Sequence, residues 1–148
     1  MKLQPITIRD ANAWVRERHR HNPPVQGALF ALAVSTDDGQ LVGVAIVGRP
    51  PRGLQDGHTV DIRRVCTNGY PNACSFLYSR CRRAAAALGY SRVISYSRQD
   101  EGGASLRGAG FELDAKLPAR DAVKANKQRI RVNSTEPAPR FRWSAKAR

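Results

Sequence analysis

The feature that most constrains the fold is a pair of eight-residue apolar stretches, ALFALAVS at 28–35 and LVGVAIVG at 41–48. The five residues between them, 36–40, include Asp-Asp-Gly, which is typical of a hairpin turn. Strands that are apolar at nearly every position are normally covered on both faces. The sequence therefore predicts a central β-hairpin in a layered α/β domain, with further elements packed on both of its faces.

Helices and strands are predicted on either side of this hairpin. A short strand is predicted at 3–7. A helix follows, opened by Thr7 and Asp10 at capping-box spacing and running to about Arg18, with Trp14 and Val15 facing inward. The later elements are a strand at 58–66, a helix at 71–88 closed by Gly89, a strand at 92–97, a short helix at 103–109 and strands at 111–117 and 140–143. The helix 71–88 is expected to bury Cys74, Leu77, Cys81, Ala85 and Leu88.

Length and composition indicate one globular domain over residues 1–148, with a basic loop at 118–138 and a closing strand at 139–144. The N-terminal residues lack the apolar stretch of a signal peptide, and no window is long enough to cross a bilayer, so a cytoplasmic protein is expected. The three cysteines, Cys66, Cys74 and Cys81, have no metal-ligand spacing and are expected to be buried reduced thiols. No metal site is predicted.

The charge balance points to a polyanionic partner. The chain has 25 Lys and Arg against 12 Asp and Glu, a net charge of +13. Such an excess favours nucleic acid through counterion release and electrostatic steering.

Two local motifs, in the predicted order of elements, resemble the GNAT superfamily of N-acetyltransferases over about residues 3–117. The strand 58–66 runs through Gly69 into a helix N-terminus, a turn whose backbone N–H groups and helix dipole suit a pyrophosphate. The segment 105–111 resembles the superfamily's short helix followed by Gly-Phe and a strand. The resemblance implies an α/β (α+β) fold with a central mixed, mostly antiparallel sheet, flanking helices and splayed central strands.

The same resemblance implies acetyl-CoA or another activated acyl donor, held by the strand end, the turn and the start of the helix. The residues expected to hold it are Arg64, Val65, Cys66, Thr67, Asn68, Gly69, Asn72, Ala73 and Ser75. Two positions depart from the superfamily pattern. Segment 64–69 does not match its Gln/Arg-x-x-Gly-x-Gly/Ala turn, and Leu106 stands where many members have a tyrosine that acts as general acid.

Within the superfamily the chain is similar to the Mom-type proteins of phages, which modify adenine in DNA against restriction. The likeness rests on segments 19–24, 72–77 and 94–96 and on Asp61 and Arg64. It implies a DNA-modifying transferase that adds a small acyl-derived group to the N6 amine of adenine. Two alternatives remain: an acetyl-CoA-dependent N-acetyltransferase for a protein or small-molecule amine, and a non-catalytic nucleic-acid-binding module.

The candidate catalytic residues are His19, His21, Asp61, Ser75 and Tyr96. Histidine titrates near neutrality and can accept a proton from an amine. Asp61 is either a base or the partner of Arg63 in a structural ion pair, and Arg64 is expected on the opposite strand face. Ser75 either contacts the donor or bonds back to its own helix. Tyr96 is preferred over Tyr78 as the acid.

The candidate DNA-binding residues are basic and lie in two loops, so they are expected to contact phosphates. They are Arg49, Arg52, Arg120, Lys124, Lys127, Arg129 and Arg131. An adenine amine inside a duplex must be flipped out before it can react. Tyr70 or Trp143 is expected to stack on the flipped base.

Overall fold

The computed structural model describes residues 1–18, 23–119 and 138–148. The strands in these ranges are β1 (Lys2–Gln4), β2 (Ala28–Ser35), β3 (Leu41–Gly48), β4 (Thr59–Thr67), β5 (Arg92–Arg98), β6 (Glu112–Leu117) and β7 (Arg140–Lys146). The helices are α1 (Ile8–Arg18), α2 (Ala73–Ala87) and α3 (Ala104–Gly108), with a 3-10 turn at Arg52–Leu54. These helices are too short or too polar to cross a membrane.

All seven strands form one sheet in the order β1-β2-β3-β4-β5-β7-β6. Strands β4 and β5 are parallel, and every other neighbouring pair is antiparallel. The predicted mixed, mostly antiparallel sheet is therefore confirmed. The last strand lies between β5 and β6, where it pairs with the whole of β5 from Arg92 to Arg98.

The hairpin has the predicted bounds, and helices cover both of its faces. On one face, α1 packs Ala11, Trp14 and Val15 against a cluster that includes Val44 and Ile46. The opposite face carries the larger cluster, to which α2 and α3 contribute. We call these the α1-side face and the α2-side face of the sheet.

The helix boundaries follow the capping signals in the sequence. The Asp10 backbone N–H donates to Thr7 Oγ1 at 3.0 Å, which is one half of the predicted capping box. Trp14 and Val15 are buried, as expected. Helix α2 is followed by Gly89, whose φ of 97° is the left-handed conformation that ends many helices. Leu88 lies beyond the last helical turn and is 62% exposed, so the prediction that it is buried is wrong.

Helix α3 is held against α2 and β7 by one arginine and one tryptophan. Arg82 on α2 donates from Nε to the Lys146 carbonyl and from Nη1 to the Ala109 carbonyl, both at 2.8 Å. A Cβ built on Gly103 would lie 2.5 Å from Cζ2 of Trp143, so only glycine fits beside that ring. These contacts fix α3 over the β5 end of the α2-side face.

Candidate active site

The site is built around a gap between the two central parallel strands. β4 and β5 pair from Thr59 with Arg92 as far as Ile62 with Ser95. The Ser95 hydroxyl donates to the Ile62 carbonyl at 3.4 Å at this last pair. Beyond it, β4 continues to Thr67 without pairing to β5. The predicted splay of the central strands is therefore confirmed, and it leaves a slot that is closed at Ser95.

The backbone of β4 directs hydrogen-bond donors into this slot. The Asn68 N–H donates to the Val42 carbonyl of β3 at 3.0 Å. Because backbone groups alternate in direction along a strand, the N–H groups of Val65 and Thr67 point away from β3 and towards β5. Within the described residues these two N–H groups donate to no other group. The expectation that this segment holds a donor stays a prediction.

The turn after β4 offers fewer free N–H groups than the sequence predicts. The Gly69 N–H donates to Thr67 Oγ1 at 3.2 Å, and the Tyr70 N–H donates to Asn68 Oδ1 at 3.1 Å. The Ala73 N–H donates to the Tyr70 carbonyl at 3.2 Å. The expectation of a bare turn is therefore wrong, because Thr and Asn side chains fold back onto their own backbone in such turns.

The free donors lie one step further, in the first turn of α2. Among the described residues, the N–H groups of Cys74 and Ser75 donate to no group, and helices begin with unpaired donors of this kind. Asn72 precedes the helix with φ 65°, and its side chain makes no capping hydrogen bond. The Ser75 hydroxyl donates to the Asn72 carbonyl at 3.2 Å, so it bonds back to its own helix.

A β-bulge decides where the arginines of β4 point. Val47 pairs with Ile62, but the neighbouring Ile46 pairs with Arg64, so Arg63 is an extra residue. An extra residue reverses the alternation of side chains that follow it. Arg64 therefore lies opposite Ile46 on the α1-side face, which it shares with Asp61, and the prediction that it lies on the other face is wrong.

The side chains of Cys66 and Arg64 both lie on the α1-side face. The Cys66 side chain is buried among the residues under α1 and its N–H points towards β3, so neither group faces the slot. Burial raises the pKa of its thiol. Burial likewise lowers the pKa of Arg64, whose buried Nε has no hydrogen-bond partner in the part of the chain that the structure describes. Its Nη1 donates to the Arg63 carbonyl at 3.3 Å.

Asp61 is the most perturbed carboxylate of the site. It is 5% exposed, and its Oδ1 has no hydrogen-bond partner among the described residues. Burial raises the pKa of this carboxyl to about 7, although Arg63 and Arg140 both lower it. The Arg63 Nε lies 4.0 Å from Asp61 Oδ2, at the limit of an ion pair. A carboxyl that titrates near neutrality and is not locked in a tight ion pair is suited to accept a proton.

The structure brings Asp61 and Tyr96 to one face. Asp61 pairs with Ile94, and Tyr96 lies two residues further along β5, so the two side chains point to the same side. The Arg140 guanidinium lies 5.0 Å from the centre of the Tyr96 ring. Arg142 pairs with Tyr96 across β5 and β7, and its Nε donates to Asp114 Oδ2 at 2.7 Å. The sequence reasoning missed both arginines, because it treated β7 only as a closing strand.

The remaining predicted residues are separate from this cluster or lie outside the described residues. Arg49, Arg52 and Tyr70 are exposed, and they remain predictions. Trp143 is 1% exposed and donates from Nε1 to Ser97 Oγ at 2.9 Å, so its predicted stacking role is wrong. The following candidates lie outside the described residues: His19, His21, Arg120, Lys124, Lys127, Arg129 and Arg131.

Comparison with known proteins identifies solved structures that share this fold. No protein-family model matches the sequence, and no curated protein matches it. An acetyltransferase of Bacillus subtilis in complex with CoA has a similar structure, with a TM-score of 0.62 and 14% identity over 98% of this chain and 96% of that chain. The aminoglycoside 6'-N-acetyltransferase of Enterococcus faecium gives a TM-score of 0.64 and 10% identity over 100% and 98%.

A third neighbour is the ribosomal-protein-S18-alanine N-acetyltransferase of Escherichia coli, with a TM-score of 0.63 and 11% identity over 99% of this chain and 93% of that chain. These similarities extend over nearly the whole of each chain. At such low identities they establish the fold and nothing further. The chain therefore has the GNAT acetyltransferase fold that its motifs predict.

Proposed function

We propose that the protein is an acyltransferase that moves an acyl group from acyl-CoA to an amine. The observation that carries this proposal is a row of N–H groups with no acceptor among the described residues: Val65 and Thr67 in the slot, and Cys74 and Ser75 at the start of α2. The amide-containing arm of CoA and its pyrophosphate are complementary to such a row. The CoA complex of the Bacillus subtilis neighbour supports the same donor.

The donor supplies an acyl group activated as a thioester, and the side chains of this protein manage the proton. In the proposed reaction the Asp61 carboxylate accepts the proton that the amine nitrogen loses as it is acylated. A pKa of about 7 lets this carboxyl be ionised and still basic enough near neutral pH. Arg63 and Arg140 keep the pKa from rising further. Catalytic roles for His19, His21 and Ser75 remain predictions.

The charge around Asp61 bears on the acceptor. Arg63, Arg140 and Arg142 surround the Asp61–Tyr96 face, and α1 packs mainly on β2 and β3. An alkylammonium acceptor would meet like charge here, which costs binding energy. An uncharged amine next to phosphates meets complementary charge.

This charge favours a second, finer proposal: the amine is N6 of adenine in DNA, as in the Mom-type anti-restriction proteins of phages. The net charge of +13 supports it. The rival acceptors are the small-molecule and protein amines named for two of the structural neighbours.

The donor half is tested by calorimetry with acetyl-CoA. We expect the wild type and Asp61→Asn to bind it with equal affinity, because Asp61 lies on the α1-side face and outside the row of N–H groups. Only the wild type should turn it over with an acceptor. If the wild type shows no binding at millimolar acetyl-CoA, the acyltransferase proposal is wrong.

The acceptor half is tested by expressing each protein in a bacterial host and analysing digested genomic DNA by mass spectrometry. A mass-shifted deoxyadenosine with the wild type, absent with Asp61→Asn, supports DNA modification. Unmodified DNA together with acetyl-CoA turnover supports an ordinary N-acetyltransferase. DNA retention without acetyl-CoA binding supports the non-catalytic nucleic-acid-binding module.

A further inference from the structure

Tyr78 on α2 lies next to the slot, although Leu106, at the position of the superfamily's usual tyrosine, is a core residue that is 3% exposed. The Tyr78 ring is half-buried and meets the Phe111 ring edge-on, with their centres 5.9 Å apart. Phe111 is itself buried in the α2-side cluster. The ring of Tyr78 therefore packs against the α2-side cluster of the sheet.

Tyr78 follows Cys74 by one helical turn on the same face of α2, and Cys74 Sγ lies 3.8 Å from Thr67 Oγ1 at the open end of the slot. Tyr78 therefore lies further along the slot, towards Ser95, whose side chain lowers the pKa of its hydroxyl. Ser95 belongs to the last pair that joins β4 to β5, and its own hydroxyl donates to the Ile62 carbonyl at 3.4 Å. A donor arm that follows the N–H groups of Thr67 and Val65 away from the start of α2 therefore runs towards Tyr78.

The surroundings of Tyr78 keep its proton in place. Burial raises the pKa of the hydroxyl, and Cys74, Cys81 and Glu101 raise it further, whereas Ser95 lowers it. A tyrosine with a raised pKa remains a neutral O–H donor at every physiological pH. The hydroxyl can therefore donate to a group that gains negative charge, but it does not act as a base.

We infer that the Tyr78 hydroxyl contacts the thioester sulfur of the donor and donates a hydrogen bond that stabilises the sulfur as it leaves. This inference rests on the proposed acyl transfer. The amine nitrogen forms a bond to the carbonyl carbon, the carbon–sulfur bond breaks, and its electron pair goes to sulfur. The sulfur leaves as a thiolate that accepts the Tyr78 hydrogen bond, and the amine proton goes to Asp61.

The test compares binding of CoA with binding of dethio-CoA, which lacks the sulfur, by calorimetry on the full chain. The proteins are the wild type, Tyr78→Phe and the matched control Tyr90→Phe. The control removes the hydroxyl of a tyrosine that follows the C-terminal end of α2. We expect the wild type and the control to prefer CoA by about fivefold, the usual worth of one hydrogen bond. Tyr78→Phe should lose this preference, and its kcat should fall while KM for the acyl donor stays within about twofold.

The outcomes separate this inference from the proposed function. If the wild type binds neither ligand, the acyl-CoA proposal fails. If the wild type and Tyr78→Phe show the same preference for CoA, the role of Tyr78 is refuted and acyl transfer still stands. Should Tyr78→Phe not fold, Ser95→Ala removes the side chain that orients the hydroxyl and is expected to reduce the preference. An unchanged preference in Ser95→Ala would then count against the inference.

Discussion

Replacing Asp61 by asparagine should remove a large pH dependence of stability. Burial raises the pKa of Asp61 from an ordinary 3.8 to about 7 in the folded protein. At about 1.4 kcal/mol per pKa unit, this rise corresponds to about 4 kcal/mol. The residue is 5% exposed, so solvent screens little of this energy.

The sign follows from where the proton is bound. Below about pH 4, the carboxyl is protonated in both states and costs nothing. As the pH rises from about 4 through 7, the unfolded chain ionises first, so the folded state loses stability relative to it. Above pH 7 the folded protein carries a buried carboxylate at the full cost. The difference in unfolding free energy, wild type minus Asp61→Asn, should therefore fall by about 4 kcal/mol between pH 4 and pH 8.

The assay is urea unfolding of both proteins at pH 4, 5, 6, 7 and 8, followed by the fluorescence of the buried Trp14 and Trp143. Repulsion within the basic chain affects both proteins almost equally, so it cancels in the difference. A difference that stays constant with pH would show that Asp61 has an ordinary pKa. It would then remove the physical basis for its role as a base near neutral pH.

Four further results are expected. The rate of acyl transfer should increase with pH through a midpoint near 7. Arg63→Gln should move that midpoint upwards, because Arg63 lowers the pKa of Asp61, and a pH–rate profile measures both effects. Gly103→Ala should cost about 1–3 kcal/mol in urea unfolding, because its Cβ would strike Trp143, whereas Gly53→Ala, which meets nothing within 4 Å, should be nearly neutral. Asn72→Gly should be neutral or stabilising and Asn72→Ala destabilising by about 1 kcal/mol, since Asn72 has φ 65°; the reverse order in thermal melts would contradict the strain. If DNA binds the α1-side face that carries Arg140 and Arg142, the double change Arg140→Gln and Arg142→Gln should lower the slope of log affinity against log salt concentration by about 2. Arg83→Gln, on the α2 side, should leave that slope unchanged.

The sequence predicts the elements of this fold well because their signals are local. The apolar stretches 28–35 and 41–48 alternate too little to be half-exposed strands, and they form β2 and β3 with the predicted bounds. Capping at Thr7 and the glycine after α2 mark helix ends, since both act through hydrogen bonds or backbone angles of neighbouring residues. The GNAT-type order of elements follows from these signals and is confirmed by the structural neighbours.

The site depended on tertiary structure, because its parts come from pairings that are remote in sequence. One inserted residue at Arg63 turns Arg64 to the same face as Asp61, and alternation along β4 alone predicts the opposite. The side chains of Thr67 and Asn68 occupy the N–H groups of the turn, so the free donors lie in the strand and the helix instead.

Residues from a strand that is distant in sequence complete the candidate site. The insertion of β7 beside β5 brings Arg140 and Arg142 to Tyr96, and it buries Trp143 against Ser97. The sequence alone identified Asp61 and Tyr96 as candidate catalytic residues. The burial that perturbs Asp61, and the arginines that oppose that perturbation, exist only once the strands have paired, because both effects depend on distance in space rather than along the chain.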